Sequence, residues 1–434
     1  MTSYWAQHAW LCGDRAVANV RIEVEGDRIA AVALNAERDG ATELRGLTLP
    51  GLANAHSHAF HRALRGRTHR GGGTFWTWRE DMYALAERLD PDSYRALARA
   101  VFGEMALAGI TCVGEFHYLH HGAARYEDPN AMGHALIEAA AEAGIRITLL
   151  DTCYLASGFG DPPEGVQRRF SDGDAAAWAE RASALRDAPH ARVGAAIHSV
   201  RAVPADQLST VADWARGRGA PLHAHLSEQR AENEACLAAT GRTPAELLDE
   251  HGALGAHCCM VHATHLSHDD IERLGGTTVC MCATTERDLA DGIGPARALA
   301  SPLCLGSDSH AVIDMFEEAR AVELDERLRT ERRGHFSAAE LLRAATNHAA
   351  IGWPEAGRIE PGAPADLVTV SLDSVRLAGA DPDTLLESAV FAAGAGDVSE
   401  VVAGGRRIVH EGRHETLDVP AALQETCLTP FLHA

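Results

Sequence analysis

LTLPGLANAHSH, residues 47–58, decides how the rest of the chain is read. The run is strand-like and ends in His56-Ser57-His58. Side chains two apart on a strand share a face, so both imidazoles can turn toward one point. Downstream, short apolar runs alternate with helical ones. ITCVGEFHYL (110–119), IRITLLDTCYL (145–155), ARVGAAIHSV (191–200), APLHAHLSE (220–228), HCCMVHATHL (257–266), TTVCMCATTE (277–286) and SPLCLGSDS (301–309) read as further strands. Helical stretches separate most of them, among them 93–109, 131–144, Asp206–Gly217 and Arg230–Ala239. Eight strands in βα alternation are the pattern of a (β/α)8 TIM-type barrel.

The two chain ends have another rhythm. VANVRIEVEGDRIAAVAL (17–34) alternates and turns at Glu25-Gly26-Asp27, which reads as a β-hairpin. Strands return at Asp366–Val370 and Val401–His410, the latter a pair joined through Gly404-Gly405. Residues 1–48 with 358–434 are therefore expected to form one small β-domain, and 49–357 the α/β barrel.

Composition narrows the function. The 434 residues carry 39 Lys+Arg against 61 Asp+Glu, a net −22, which argues against nucleic acid and anionic membranes as partners. With 46% hydrophobic and 23% charged residues the chain reads as globular. No apolar run reaches the ~18–20 residues of a membrane span. The first residues lack a basic-then-apolar leader, so a cytoplasmic location is expected. Of the ten cysteines, most sit in strand-like runs and read as buried, reduced thiols. Cys280 and Cys282 share a strand face, but no other soft ligand is near them in sequence, so they are not read as a zinc site.

In a βα barrel the active site lies at the C-terminal strand ends. Here those ends carry His56/His58, Glu115/His117/Tyr118, His198, His225, His262, Thr284/Thr285 and Asp308. His56 and His58, the His223-Ala-His225 pair and Asp308 end the first, fifth and eighth strands. Imidazoles with a carboxylate suit zinc or ferrous iron, with one position left for water.

PGLANAHSHAF, HAHLSEQ, MVHATHLS and LGSDSH together resemble the amidohydrolase superfamily, in its deaminase branch. The resemblance implies a (β/α)8 barrel carrying a β-sandwich built from both chain ends. The fourth strand, VGAAIHSVR, has no lysine to bridge two ions, which implies one Zn2+ per chain, Fe2+ being the alternative. His56, His58, His225 and Asp308 are then the metal ligands, and His223 is structural. Glu228, His262 and Asp308 take the catalytic roles, with His265 ranked below His262. GGTFWTWREDMYAL, GEFHYLHH, HSVRAVP, ATTERDLADGI and LGSDSH are more narrowly similar to the formimidoylglutamate deiminases of histidine degradation.

That similarity implies zinc-dependent hydrolysis of N-formimidoyl-L-glutamate to N-formyl-L-glutamate and ammonia. It implies substrate contacts at Arg79, Tyr118, His198 and Arg201, and a homodimer. At His61, in HAFHRAL, the family commonly has glutamine; imidazole is shorter and titrates. The chemistry agrees, since a small dicarboxylate substrate calls for arginines, whose planar fork binds carboxylate bidentately. Arg201 follows the fourth strand, and Arg79 is read in an aromatic loop with Trp76 and Trp78. The alternatives are a deaminase of the same branch acting on an aromatic heterocycle such as guanine or adenosine, and a non-catalytic binding relative. The latter should have lost metal ligands, and all four candidates are present.

Overall fold

Alternating Val, Ile and Leu pair the chain ends into a sheet on which the barrel is hung. The computed structural model describes residues 1–69 and 75–428. Strands β1 (Thr2–Ala9), β2 (Val17–Glu25), β3 (Arg28–Ala33) and β4 (Thr42–Pro50) come first. Eight barrel strands follow: β5 (Leu52–Ser57), β6 (Ile110–His117), β7 (Arg146–Cys153), β8 (Ala191–Ile197), β9 (Leu222–Leu226), β10 (Cys258–His262), β11 (Thr278–Met281) and β12 (Leu303–Leu305). The chain returns through β13 (Leu367–Val370), β14 (Val398–Ala403), β15 (Arg406–His410) and β16 (Arg413–His414).

Strands from both ends hydrogen bond in the order β16-β15-β14-β13-β4-β1-β2-β3. The β-unit is thus one continuous, mostly antiparallel sheet. Ile29 N–H donates to Ala363 O and Gly362 N–H to Ile29 O, which draws the β3 edge toward the segment before β13. Ile22, Ile29, Leu367 and Val402 share its core. Only Gly51 separates β4 from β5. A Cβ there would meet Thr111 Oγ1 at 2.1 Å and Asp366 Cβ at 2.8 Å, so the passage admits no side chain. A buried Arg146–Asp366 ion pair ties β7 to the sheet beside it.

β5 to β12 pair in chain order, all parallel. The ring is joined by a bridge between Ser57 and Asp308. Across this seam Asn54 Nδ2–H donates to Ser307 Oγ at 2.7 Å, and Ser307 N–H to Asn54 Oδ1 at 2.9 Å. A Cβ on Gly306 would lie 2.7 Å from His56 Cβ and 3.0 Å from Cys282 Sγ, so the seam needs glycine there.

The barrel interior is lined by small and soft side chains: Ala53, Ala55, Cys112, Cys259, Cys280, Cys282 and Cys304, packed with Ile351 and Trp353. All ten cysteines are free thiols. The soft neighbours that Cys280 and Cys282 lack in sequence are supplied in space. Cys280 and Cys282 sulfurs are 3.9 Å apart, and Cys259 and Cys304 sulfurs 3.6 Å. His223 joins this interior, its Nε2 bonded to Ala350 O at 2.9 Å.

Forcing a methyl group into the seam should cost about 1–3 kcal/mol, the usual range for overpacking. Gly306→Ala is expected to unfold at correspondingly lower denaturant and to bind metal less tightly. Unchanged stability and metal content would show that the seam has slack.

Candidate active site

His56, Ser57 and His58 end β5 with alternating direction. Both histidines face inward over the barrel mouth, while Ser57 turns to Glu115. Ser57 Oγ–H donates to Glu115 Oε2 at 2.5 Å, and Ala59 N–H donates to Oε1 at 2.6 Å. Glu115 is fully buried, and burial pushes its carboxyl up to about 7 despite these donors. Asp308 is fixed by its backbone, its N–H donating to His56 O at 3.0 Å and its carbonyl accepting from His58 N–H at 3.3 Å.

Five non-glycine residues at this face are left-handed: Ser227 (φ 50°), His262 (φ 69°), Ala263 (φ 52°), Asp308 (φ 43°) and His310 (φ 58°). Such residues are uncommon and persist where the surroundings over-determine them.

Hydrogen bonds set the imidazole orientations. His58 Nδ1–H donates to Phe116 O at 3.0 Å and His225 Nδ1–H to His198 O at 2.8 Å, leaving a lone pair on Nε2 of each ring. His225 Nε2 faces His56 Nε2 at 3.1 Å, and His56 and His58 Nε2 each face Asp308 Oδ1 at 3.3 Å. Burial pushes His56 down to about 3 and His225 well below the ordinary imidazole range, so both are neutral. Lone pairs and a carboxylate at these separations repel one another unless a cation lies among them. The donor set therefore fits a divalent ion. Ligand atoms of His56, His225, His262 and Asp308 lie within 4.8 Å of one another, and His58, His61 and Asp308 form an adjoining set.

His262 differs from its neighbours. Its Nδ1 is 3.4 Å from Glu286 Oε1, and its Nε2 is 3.8 Å from Glu228 Oε1 and 3.9 Å from Asp308 Oδ2. Burial alone would lower its pKa. Glu228 chiefly, with Glu286 and Asp308, outweighs burial and lifts it to about 10. Burial in turn pushes the Glu228 carboxyl up, against the opposing pull of His262.

His58, His61, Arg79, Tyr118, His198, Arg201, His225, Glu228, His262 and Asp308 all line one pocket, with His56 buried beside it. The residues read from the sequence as metal ligands, catalytic groups or substrate contacts are thus brought to one place. His61 Nε2 pairs with Tyr118 Oη at 2.9 Å, and its ring lies 4.6 Å from that of His58.

Other expectations change. Arg79 lies on the helix Phe75–Arg88, where Nε–H donates to Tyr83 Oη one turn on at 2.7 Å. The Trp76 side chain falls outside the described residues, whereas Trp78 lines the pocket. His117 turns away, its ring 4.8 Å from His120, near Asp151. Thr284 donates to Glu318, and Thr285 pairs with Ser309 Oγ at 3.0 Å, so neither reaches the pocket. His265 bonds Asp291 O at 2.8 Å. Pocket residues missed in the sequence are Met82, Tyr83, Tyr154, Phe170 and Leu289. Tyr154 directly follows β7, so strand-end register would have found it. Phe170 and Leu289 sit in connections that carry no such signal.

Comparison with known proteins agrees with this geometry. The amidohydrolase family model matches residues 47–408. The chain is 37% identical to a formimidoylglutamate deiminase of Pseudomonas aeruginosa, over 95% of this chain and 96% of that one. It is 30% identical to a 5-methylthioadenosine/S-adenosylhomocysteine deaminase of Natronomonas pharaonis, over 94% and 92%. The crystal structure of an amidohydrolase from Brucella melitensis superposes with a TM-score of 0.91 at 33% identity, covering 99% of this chain and all of that one.

One divalent ion per chain is expected on elemental analysis of the purified protein, and Asp308→Ala should reduce it well below stoichiometry. Content near two per chain, or full content in Asp308→Ala, would contradict the ligand set.

Proposed function

The chain belongs to the amidohydrolase family, and from that premise we propose that it hydrolyses N-formimidoyl-L-glutamate to N-formyl-L-glutamate and ammonia, a step of histidine degradation. The observation that carries this reading is that two guanidiniums, Arg79 and Arg201, line the same pocket as the His/Asp cluster. The substrate has the matching polarity, a cationic amidine at one end and two carboxylates at the other. Trp78, Tyr118, Tyr154 and Phe170 also line the pocket and could stack on a heterocycle. A neutral purine offers no anionic group to these guanidiniums, which favours the acidic amidine. The 37% identity to a formimidoylglutamate deiminase supports the same choice.

His56, His58, His225 and Asp308 would hold the ion, and zinc suits their nitrogen and oxygen donors. When bound, such an ion acidifies its water to a pKa of about 7 and polarises the substrate. Asp308 Oδ2 accepts the proton that the attacking water gives up. His262, held cationic between Glu228 and Glu286, offers its Nε2–H to the reacting centre. Glu228, its carboxyl raised by burial, carries a proton to the departing nitrogen. Water adds to the formimidoyl carbon, the carbon–nitrogen bond to the terminal nitrogen breaks, and ammonia leaves. Arg201 and Arg79, with Tyr118, His198 and His61, hold the glutamate end. A homodimer and a cytoplasmic location belong to this reading.

Release of ammonia from N-formimidoyl-L-glutamate, with N-formyl-L-glutamate identified as product, tests the proposal directly. Arg201→Met should lower kcat/KM on this substrate by about 30- to 5,000-fold, the consequence of losing about 2–5 kcal/mol from a desolvated charge pair. Unchanged hydrolysis by Arg201→Met, or faster turnover of guanine or adenosine by the parent enzyme, would favour heterocycle deamination.

Glu228→Gln should keep its metal and lose about 10²–10⁴ in kcat, the range for a general acid or base. Near-normal turnover with metal retained would remove Glu228 from the proton path.

A further inference from the structure

We propose that the Tyr154 hydroxyl is an additional carboxylate donor of this pocket, its hydrogen kept for the substrate by Gln167, which donates to both Tyr154 and Tyr83, and by Arg79, which fills the remaining acceptor of Tyr83. This rests on reading the pocket as a site for an acidic amidine. Tyr154 is buried, lines the pocket with Arg79, Tyr83 and Arg201, and packs its ring 4.6 Å from His198 and 5.4 Å from Phe170.

These roles follow from counting donors and acceptors. Gln167 is buried on the short turn Gly165–Arg169. Its Oε1 accepts the Glu164 N–H at 3.0 Å, which assigns the other amide atom as Nε2. Nε2 carries two hydrogens and has two partners, Tyr83 Oη and Tyr154 Oη, both at 2.9 Å. Tyr83 Oη also accepts Arg79 Nε–H at 2.7 Å. A phenol oxygen has two acceptor positions, and those of Tyr83 are now taken, so Tyr83 can only donate. It therefore offers no acceptor to the Tyr154 hydroxyl. Tyr154 accepts from Gln167, and its own O–H has no acceptor among the described residues. That hydrogen is left for the cavity, in a region under the influence of both Arg201 and Arg79. An anion is the partner such a place suits, and a substrate carboxylate supplies it. Gln167 and Tyr83 are positioning residues here, whereas Tyr154 touches the substrate.

Tyr154→Phe keeps the ring and removes only the donor. It should lower kcat/KM on N-formimidoyl-L-glutamate by about 10- to 100-fold, mostly through KM, as expected for a hydrogen bond to a charged group. The loss on formamidine, which has no carboxylate, should be about tenfold smaller. Gln167→Glu retains the acceptor for Glu164 N–H but accepts where the amide donated, so both phenols would turn toward it. It should reproduce the Tyr154→Phe loss, and the double variant should lose no more than either single one. Equal losses on the two substrates, no loss on the diacid, or additive losses in the double variant would overturn the proposal. Calorimetric binding of glutarate reads the same donor without turnover. Weaker binding by Tyr154→Phe than by the parent supports it, and equal or absent binding overturns it. A parent that binds glutarate through Tyr154 yet fails to hydrolyse N-formimidoyl-L-glutamate would reject the function and keep the donor.

Discussion

Closing an eight-stranded ring requires its first and last strands to meet, and in this protein they meet at Ser57 and Asp308. The backbone bonds that close the ring are the ones that place the His/Asp cluster, since Asp308 N–H and C=O bind the carbonyl of His56 and the N–H of His58. Asn54 and Ser307 lock the adjacent turn with two further bonds, and Gly306 lets the strands approach. Barrel closure and site assembly are thus one event. Side chains placed by a hydrogen-bonded strand seam are held more tightly than those placed by free loops.

Around that seam the protein divides chemically similar groups into opposite states. The rings of His56 and His262 lie 6.1 Å apart, yet burial drives one down to about 3 while carboxylates lift the other to about 10. His56 stands among other imidazoles and Asp308 and is left neutral, whereas His262 faces Glu228 and Glu286 and offers a hydrogen. A difference of this size between neighbouring titratable groups is how one pocket holds both an acceptor and a donor at neutral pH. Glu115 extends the pattern on the outer side of the seam, its carboxyl raised by burial while it braces Ser57 and Ala59.

Much of this was legible from residues alone, for reasons that also explain the failures. All eight barrel strands were found because each is a short apolar run followed by a change of polarity, and the strand-end rule then gathered His58, His198, His225, His262 and Asp308. The same rule overreached at His117 and Thr284, because a strand end has two sides and polarity does not say which one faces the pocket. Arg79 was placed in a loop because the aromatic run around it masks helical spacing; the Arg79–Tyr83 contact one turn apart is visible only in three dimensions. The cysteine cluster escaped for a similar reason. Cys259, Cys280 and Cys304 come from three neighbouring strands, and sequence spacing carries no information about the register that sets their side chains side by side.

The sheet shared by the two chain ends has a bearing on the order in which the molecule can be made. β4 lies between β1 and β13, so one of its edges waits for a strand translated more than three hundred residues later. Asn54 and Ser307, which lock the barrel seam, are themselves 253 residues apart. Contacts of such long range form late, because the intervening loop must be ordered before they are gained. A growing chain therefore carries an open strand edge and a half-built His/Asp cluster through most of its synthesis. Groups able to hold an ion come together only in a nearly finished molecule.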